Sequence, residues 1–443
     1  MLSIREVLSI RPIIGGIEAI EEVIDQIGKK GMRPQKLIVT DPHLSGKNVK
    51  QLWKIAAKHG LSFAKLPKLN ELENFQHESS VVKPIALEDL LGRPQVVLDD
   101  SAIAELIRGK YILVTGAGGT IGSELCMQVA RYKPTMLVML DNSEYNLYII
   151  DQEIKTLYPM QQIRSILADV RLPESFEFLF SEYKFDLVFH AAALKHVPIL
   201  EDNIYQAVLT NVLGTKHVAD ICNRYGVKEM VLISTDKAVK PISVMGVTKR
   251  LAENYCQAMG QKDDGVTIYS TVRFGNVLGS SGSVIPLFQK QIARGGPVTV
   301  TDPAVERYFM TVQEAVGLIL QAASIQVERE THSAIYVLDM GEPINIDDLA
   351  RQAIRLAGYE PGRDIKIEYI GLRPGEKLNE ELFALPEAPI STEKSGVLLA
   401  ASRKLSYNEV NQCVSELKEA VQLNQQSRVV EILTSFMVLP SGD

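Results

Sequence analysis

A strand that runs into a glycine turn and straight out into a helix leaves a chain few ways to fold. Residues 111–132 contain such a passage: Tyr111-Ile-Leu-Val-Thr115 leads into Gly116-Ala-Gly-Gly119-Thr-Ile-Gly122, and a helical pattern follows from Ser123 to Tyr132. Glycines at 116, 119 and 122 permit a tight turn, close approach of backbone to a pyrophosphate, and close packing of helix on strand. Asp141 closes the next strand roughly 20 residues on, where a carboxylate accepts from both ribose hydroxyls and repels a 2'-phosphate, so the pattern predicts NAD rather than NADP. Asp169 follows the third strand, where it meets an adenine amino group or serves as an ordinary helix N-cap. His190-Ala-Ala-Ala193 ends the fourth strand with small residues that let a cofactor lie close.

The same alternation of strand and helix continues, with strands expected at Tyr111–Thr115, Met136–Leu140, Gln162–Leu167, Leu187–His190, Glu229–Ser234 and Thr267–Arg273. Six such strands predict an α/β fold built on a Rossmann-type doubly wound parallel sheet, residues 96–275. Beyond about Asn276 a Gly, Ser and Pro rich stretch with smaller units predicts a C-terminal substrate-binding lobe over 276–405, interleaved with the Rossmann domain, and 406–443 reads as a polar helical tail. Residues 1–95 form an N-terminal, partial Rossmann-like unit. Ile17, Ile20, Val23, Ile24 and Ile27 recur at helical spacing, followed by a strand at Lys36–Thr40, a helix at Val49–Lys58 and a strand at Leu61–Leu66. The stretch Glu88–Asp100 passes as a linker.

Composition narrows the functional classes. With 443 residues, 46% of them hydrophobic, the chain can bury two or three cores. A net charge of -7, with both signs interspersed, offers no footprint for nucleic acid. Cys126, Cys222, Cys256 and Cys413 lie far apart, which predicts neither a metal site nor a disulfide framework and fits a reducing compartment. No window reaches ~18 uninterrupted apolar residues, so no membrane span is expected. The expected location is the cytoplasm, with a peripheral position on the inner membrane face as the variant.

At the end of the fifth strand stands Ser234-Thr235-Asp236-Lys237, and Met245-Gly-Val-Thr-Lys249 opens the next helix. A hydroxyl, an acid and a base at the carboxyl end of a central strand sit at the mouth of a cofactor cleft. Lys249, one turn after Met245, reaches toward the nicotinamide ribose.

Taken together, Thr115-Gly-Ala-Gly-Gly-Thr-Ile-Gly122, His190-Ala-Ala-Ala-Leu-Lys-His-Val-Pro198, Asn211-Val-Leu-Gly-Thr215, Ser234-Thr-Asp-Lys-Ala238, Arg273-Phe-Gly-Asn-Val-Leu-Gly-Ser-Ser-Gly-Ser283, Arg307-Tyr-Phe-Met-Thr311 and Leu372-Arg-Pro-Gly-Glu-Lys377 resemble the extended short-chain dehydrogenase/reductase family. Within it they resemble the bacterial UDP-N-acetylglucosamine 4,6-dehydratases of polysaccharide biosynthesis. Residues 1–95 resemble part of the domain that precedes the catalytic one in large, membrane-anchored members, and an absent first part would make this chain either a fragment or a naturally short form.

The resemblance implies a cofactor site of Gly116, Gly119, Thr120, Ile121, Gly122 and Asp141, joined by Asp169, Val170, Ala191, Ala192, Asn211 and Lys249. It implies a hexose site at Lys195, His196 and Asn276. Arg307 and Arg373 would clamp a diphosphate, because a guanidinium fork matches two phosphate oxygens, and Glu376 would hold a sugar or ribose hydroxyl. The implied reaction oxidises carbon 4 of a UDP-N-acetylhexosamine, eliminates water across carbons 5 and 6, and returns hydride to carbon 6. Lys237, its pKa lowered by desolvation, is expected as the base for carbon 5 and Asp236 as the acid for the leaving hydroxyl, with these roles exchangeable. Thr235 would hydrogen-bond the oxygen on carbon 4. Met245 stands where the wider family has a Tyr base, and a thioether exchanges no proton. A dead enzyme, a displaced base and a subgroup working without the Tyr all fit; the resemblance favours the last and, with it, retention at carbon 5. A UDP-sugar 4-epimerase and a non-catalytic NAD-binding scaffold are the rival readings, and a homo-oligomer is expected from resemblance alone.

Overall fold

The computed structural model describes residues 17–29, 31, 34–41, 44, 46–65, 83–84, 96–262, 266–280, 282–325, 332–384, 387–401 and 406–438, and the chain divides into two units, Met1–Pro94 and Gln95–Asp443.

In the first unit, strand Lys36–Val39 pairs in parallel with Ser62–Lys65, Lys36 opposite Ser62, and helix Gly46–Lys58 links them. Val49, Leu52, Trp53 and Ala56, spaced at three and four residues, form the buried stripe of that helix. Helix Ile20–Lys29 precedes them, and Lys83–Pro84 adds a short antiparallel strand beside Ser62–Lys65. Leu66 and linker residues 88–95 lie outside the described residues.

The second unit is built on a sheet that has nine strands among the described residues: β1 (Tyr111–Thr115), β2 (Met136–Asp141), β3 (Ile163–Leu167), β4 (Leu187–His190), β5 (Glu229–Ile233), β6 (Ile268–Arg273), β7 (Ser333–Leu338), β8 (Pro389–Ser391) and β9 (Val397–Ala400). Their order is β8-β9-β7-β6-β5-β4-β1-β2-β3. All neighbours from β7 to β3 pair in parallel, whereas β9 runs antiparallel to β7, and β8 to β9. The order reverses between β1 and β4, the topological switch point outside which ligands of such sheets bind.

Parallel strands covered on both faces read as unbroken apolar runs, and alternate residues divide between two cores. Leu113, Val138, Val188, Met230 and Leu232 belong to one cluster; Ile112, Val114, Leu137, Phe189 and Val231 belong to the other. Helix Val244–Gly260, buried over nearly its whole length, crosses the first face, and helices Thr120–Arg131, Glu144–Leu157 and Val312–Ala323 cover the second.

Two segments depart from the sequence expectation. Asp99 and Asp100, read as linker, start helix Asp100–Ile107: Asp99 caps it by accepting from the Ala102 N–H at 3.1 Å, and Ile103 and Ile107 are fully buried. The expected polar tail is two amphipathic helices, Tyr407–Gln422 and Gln426–Val438, which set Val410, Val414, Leu417, Val429 and Leu433 into the first core. Their apolar stripe repeats every three to four residues among many charges, so mean polarity concealed it.

Candidate active site

A cavity of about 600 Å³ opens at the carboxyl ends of β1, β4, β5 and β6. Gly116, Gly119, Thr120, Ile121, Gly122 and Ala191 line one wall; Thr235, Lys237, Met245 and Lys249 line the floor; Lys195, His196, Asn276, Arg307, Arg373 and Glu376 complete the rim. The structure thus brings most of the expected residues to one space.

The glycine turn is sterically exacting. Gly116 has φ +69°, and a Cβ there would lie 2.5 Å from the backbone nitrogen of Ala192. Gly119 is the cap of helix Thr120–Arg131 and makes no side-chain cap hydrogen bond, and the first turn of that helix lines the cavity. Asp141 lies outside the lining and accepts from the N–H of Gly118 and of Ser143, both at 2.8 Å. Asp169 forks onto Arg171, with Nε to Oδ2 at 2.8 Å; burial opposes its charge, but Arg171 prevails and its pKa falls. Val170 is buried in the core.

Asn211 does not reach the cavity. Its amide accepts from Leu194 N–H at 2.8 Å and donates to Leu194 O and to Thr248 Oγ1, so it clamps the loop that carries Leu194 and Lys195. His190 is buried between two threonines. Thr215 Oγ1 gives its one proton to Asn211 O at 2.7 Å, so it must accept from His190 Nε2–H at 3.0 Å, which leaves Nδ1 to accept from Thr115 Oγ1 at 2.7 Å. Burial and the Lys249 charge push this imidazole down to about 3, so it stays neutral. Lys249 donates to Ile233 O at 2.6 Å, and burial, only partly offset by Glu253, lowers it to about 8.

At the floor, Thr235 Oγ1 donates to Asp236 Oδ1 at 2.8 Å, and Lys237 Nζ donates to the same oxygen at 3.0 Å and to Asn276 Oδ1 at 3.2 Å. Asp236 is fully buried and absent from the cavity lining, and its Oδ2 has no partner among the described residues. The expectation that desolvation lowers Lys237 is reversed. Burial does oppose the ammonium, but Asp236 and then Glu380, whose Oε1 lies 3.6 Å away, outweigh it and raise the pKa.

Around the rim, burial lowers both Lys195 and His196, the latter also under the Lys195 charge. Arg307 is already engaged: its guanidinium donates to Glu306 O, Leu378 O and Lys377 O at 2.7–2.8 Å. Arg373 is exposed, and its guanidinium makes no hydrogen bond or ion pair with the described residues. Its backbone N–H donates to Glu376 Oε2 at 3.2 Å. Sequence reasoning missed Ser283, a cavity-lining cap of helix Val284–Ala293 whose hydroxyl is unpartnered among the described residues, and it missed Glu380. Glu380 and Glu381 adjoin a motif that was singled out, yet nothing in their order tells which one turns inward.

A family model described as polysaccharide biosynthesis protein matches residues 112–401. The chain belongs to this polysaccharide biosynthesis family. It is 44% identical over 370 residues to the capsular polysaccharide biosynthesis protein CapD of Staphylococcus aureus, an alignment covering 83% of this chain and 60% of that protein. The chain therefore spans about 60% of the length of that relative. It is also 30% identical over 321 residues to the UDP-N-acetylglucosamine 4,6-dehydratase (inverting) of Campylobacter jejuni subsp. jejuni, covering 72% of this chain and 90% of the relative. Among solved structures, Pen from Bacillus thuringiensis superposes with a TM-score of 0.59 at 32% identity, covering 72% of this chain and 100% of that one.

Proposed function

We propose that this family member is a nucleotide-sugar dehydratase that uses NAD to convert a UDP-N-acetylhexosamine, UDP-N-acetylglucosamine first among them, to the UDP-4-keto-6-deoxy sugar. The observation that carries the reading is that the glycine turn and the pair Thr235 and Lys237 line one and the same cavity. The features fit a dinucleotide: a glycine cradle that a Cβ would fill, a helix N-terminus in the cavity lining, and the Asp141 carboxylate closing β2 beside the turn. Bound there, NAD supplies the hydride acceptor for carbon 4 and the hydride returned to carbon 6.

The chain's own groups account for the protons. Because Thr235 donates to Asp236, its oxygen is left to accept the proton of the 4-hydroxyl, and passing its own proton on makes Asp236 an acid. Asp236, buried beneath the lining, gives that proton back through Thr235 Oγ1 to the departing 6-hydroxyl, and water is the net loss. Neutralising Asp236 also removes the main counter-charge on Lys237, so burial then favours the free amine: the ammonium gives its proton to water in the cavity, the amine takes the proton from carbon 5 and returns it there once hydride reaches carbon 6, and Lys237 then regains a proton from water. Met245 takes no part in proton transfer and lies against the sugar or nicotinamide as an apolar surface. Lys249 fixes the ribose, Lys195, His196 and Asn276 face the hexose, and Arg373, with the open helix start at Ser283, meets the diphosphate. Arg307 then serves by holding the 377–378 segment in place.

Incubation with UDP-N-acetylglucosamine in deuterated water, read by proton NMR and mass spectrometry, tests the proposal. A product lighter by one water with deuterium at carbon 5 supports it, and the configuration there separates retention from inversion. A 4-epimer with no water lost replaces it with the epimerase reading; unchanged substrate over bound NAD leaves the scaffold. Gly116→Ala, forced into a left-handed backbone against the Ala192 nitrogen, is expected to weaken NAD retention by about tenfold or more, measured as nucleotide released from denatured protein, with the far-UV spectrum unchanged.

A further inference from the structure

Glu380 lies in the segment after the Leu372–Lys377 motif, outside the cavity lining, with a side chain only 4% exposed. A buried carboxylate normally has its oxygens hydrogen-bonded, yet Oε2 of Glu380 has no hydrogen-bond partner among the described residues. Its neighbours are two amines: Lys237 Nζ at 3.6 Å from Oε1 and Lys377 Nζ at 3.9 Å from Oε2. Lys377 is tied elsewhere, donating to Val239 O at 2.8 Å. The charged groups that face Lys237 are Asp236 on its own turn, Glu380 and Lys377 from the 377–380 segment, and Arg307. Its third near oxygen is Asn276 Oδ1.

A costly buried charge is held beside two amines, of which Lys237 lines the cavity and Lys377 does not. We infer that Glu380 is a positioning residue for Lys237, holding its amine between Asp236 and Asn276 and setting the pH at which it gives up its proton. The inference rests on the proposed dehydration for its catalytic consequence, while the coupling of the two side chains stands by itself. The raised Lys237 pKa, to which Glu380 contributes alongside Asp236, agrees with it. The sign follows: removing the Glu380 charge destabilises the ammonium, so Lys237 titrates at lower pH. If the free amine is the base, the limb of kcat that rises with pH moves the same way.

The experiment has two readouts on the full chain, applied to wild type, Glu380→Gln, Glu380→Ala and Glu380→Asp. Trace acetic anhydride labelling across a pH series, followed by peptide mass spectrometry, gives the Lys237 midpoint with no turnover needed. Glu380→Gln and Glu380→Ala are expected to lower it by about one pH unit or more, Glu380→Asp to restore most of the shift, and Glu381→Gln, whose carboxylate pairs with exposed Lys240, to leave it unchanged. Midpoints equal in wild type and Glu380→Gln overturn the inference. The second readout is the pH profile of kcat with UDP-N-acetylglucosamine. A limb displaced with the labelling midpoint ties Glu380 to catalysis. A displaced midpoint with an undisplaced limb refutes the catalytic part and keeps the coupling. Absence of any product in wild type refutes the dehydratase reading and leaves the labelling result to decide the coupling.

Discussion

On the proposed dehydration, Lys237→Ala is expected to keep its bound NAD and its fold while forming the dehydrated product about 10³-fold more slowly, the loss typical of one positioned proton-transfer group. The side chain lines the cavity and stands on a single-turn 3-10 helix, Asp236–Ala238, whose cap, Thr235, accepts from the Lys237 N–H at 3.4 Å. Truncating Lys237 removes the amine without disturbing the turn. Asp236→Asn is expected to lose a similar factor for a different reason. In the proposed relay the amide cannot receive the proton that Thr235 passes on, so oxidation at carbon 4 should slow together with elimination. Single-turnover NADH absorbance separates the two: Lys237→Ala builds up a reduced-cofactor signal because oxidation proceeds and elimination stalls, whereas Asp236→Asn builds up little. Turnover by Lys237→Ala within about threefold of wild type would remove Lys237 from the mechanism, since one positioned base is worth far more than that.

The second large effect is on stability. Arg273 is fully buried on β6 and binds two carboxylates: Glu253 through Nε at 2.8 Å and Nη2 at 2.7 Å, and Glu387 through Nη1 at 2.6 Å. Ser234 Oγ donates to Glu253 at 2.6 Å and Arg250 adds a contact to Glu387 at 3.2 Å, so the network joins the end of β5 to the segment leading into β8. Arg273→Leu leaves two buried carboxylates without the guanidinium that bridges them, with Arg250 at 3.2–3.5 Å as the remaining arginine beside them. The expected loss is about 3–5 kcal/mol in guanidinium unfolding, and the double variant Arg273→Leu/Glu253→Leu should recover part of it, because removing both partners spares the uncompensated charge. A loss below about 1 kcal/mol would show that water or a shifted proton had replaced the guanidinium.

The same network predicts acid sensitivity. Burial tends to raise Glu387, but Arg273 overrides it and holds the carboxyl down to about 2. A carboxyl whose folded pKa lies below its unfolded value adds stability that is fully present above about pH 4.5 and disappears as pH falls toward 2. Arg273→Leu should flatten that part of the curve.

Local chemistry determined much of this protein from the sequence. The run Thr115–Gly122 had to be a strand, a tight turn and a helix, because only glycine tolerates the left-handed backbone at 116 and the approach of Ala192. Alternate apolar residues along β1, β2 and β4 had to divide between two faces, which fixed the covered parallel sheet. Thr235, Asp236 and Lys237 were legible as chemistry because three such groups in succession end a strand whose neighbours are apolar. Other features were decided by contacts between residues far apart in the chain. Asn211 reads as a cofactor ligand in its motif, but folding turns its amide onto Leu194, 17 residues away. The direction of the Lys237 pKa could not be read locally, since one of the carboxylates that set it, Glu380, arrives from the distant segment after Lys377. Arg273 likewise finds Glu387 114 residues further on. Backbone geometry and burial pattern depend on the nearest few residues, so sequence carries them; the charge state of a buried group depends on whichever side chains the completed fold packs around it, and only the tertiary structure determines that.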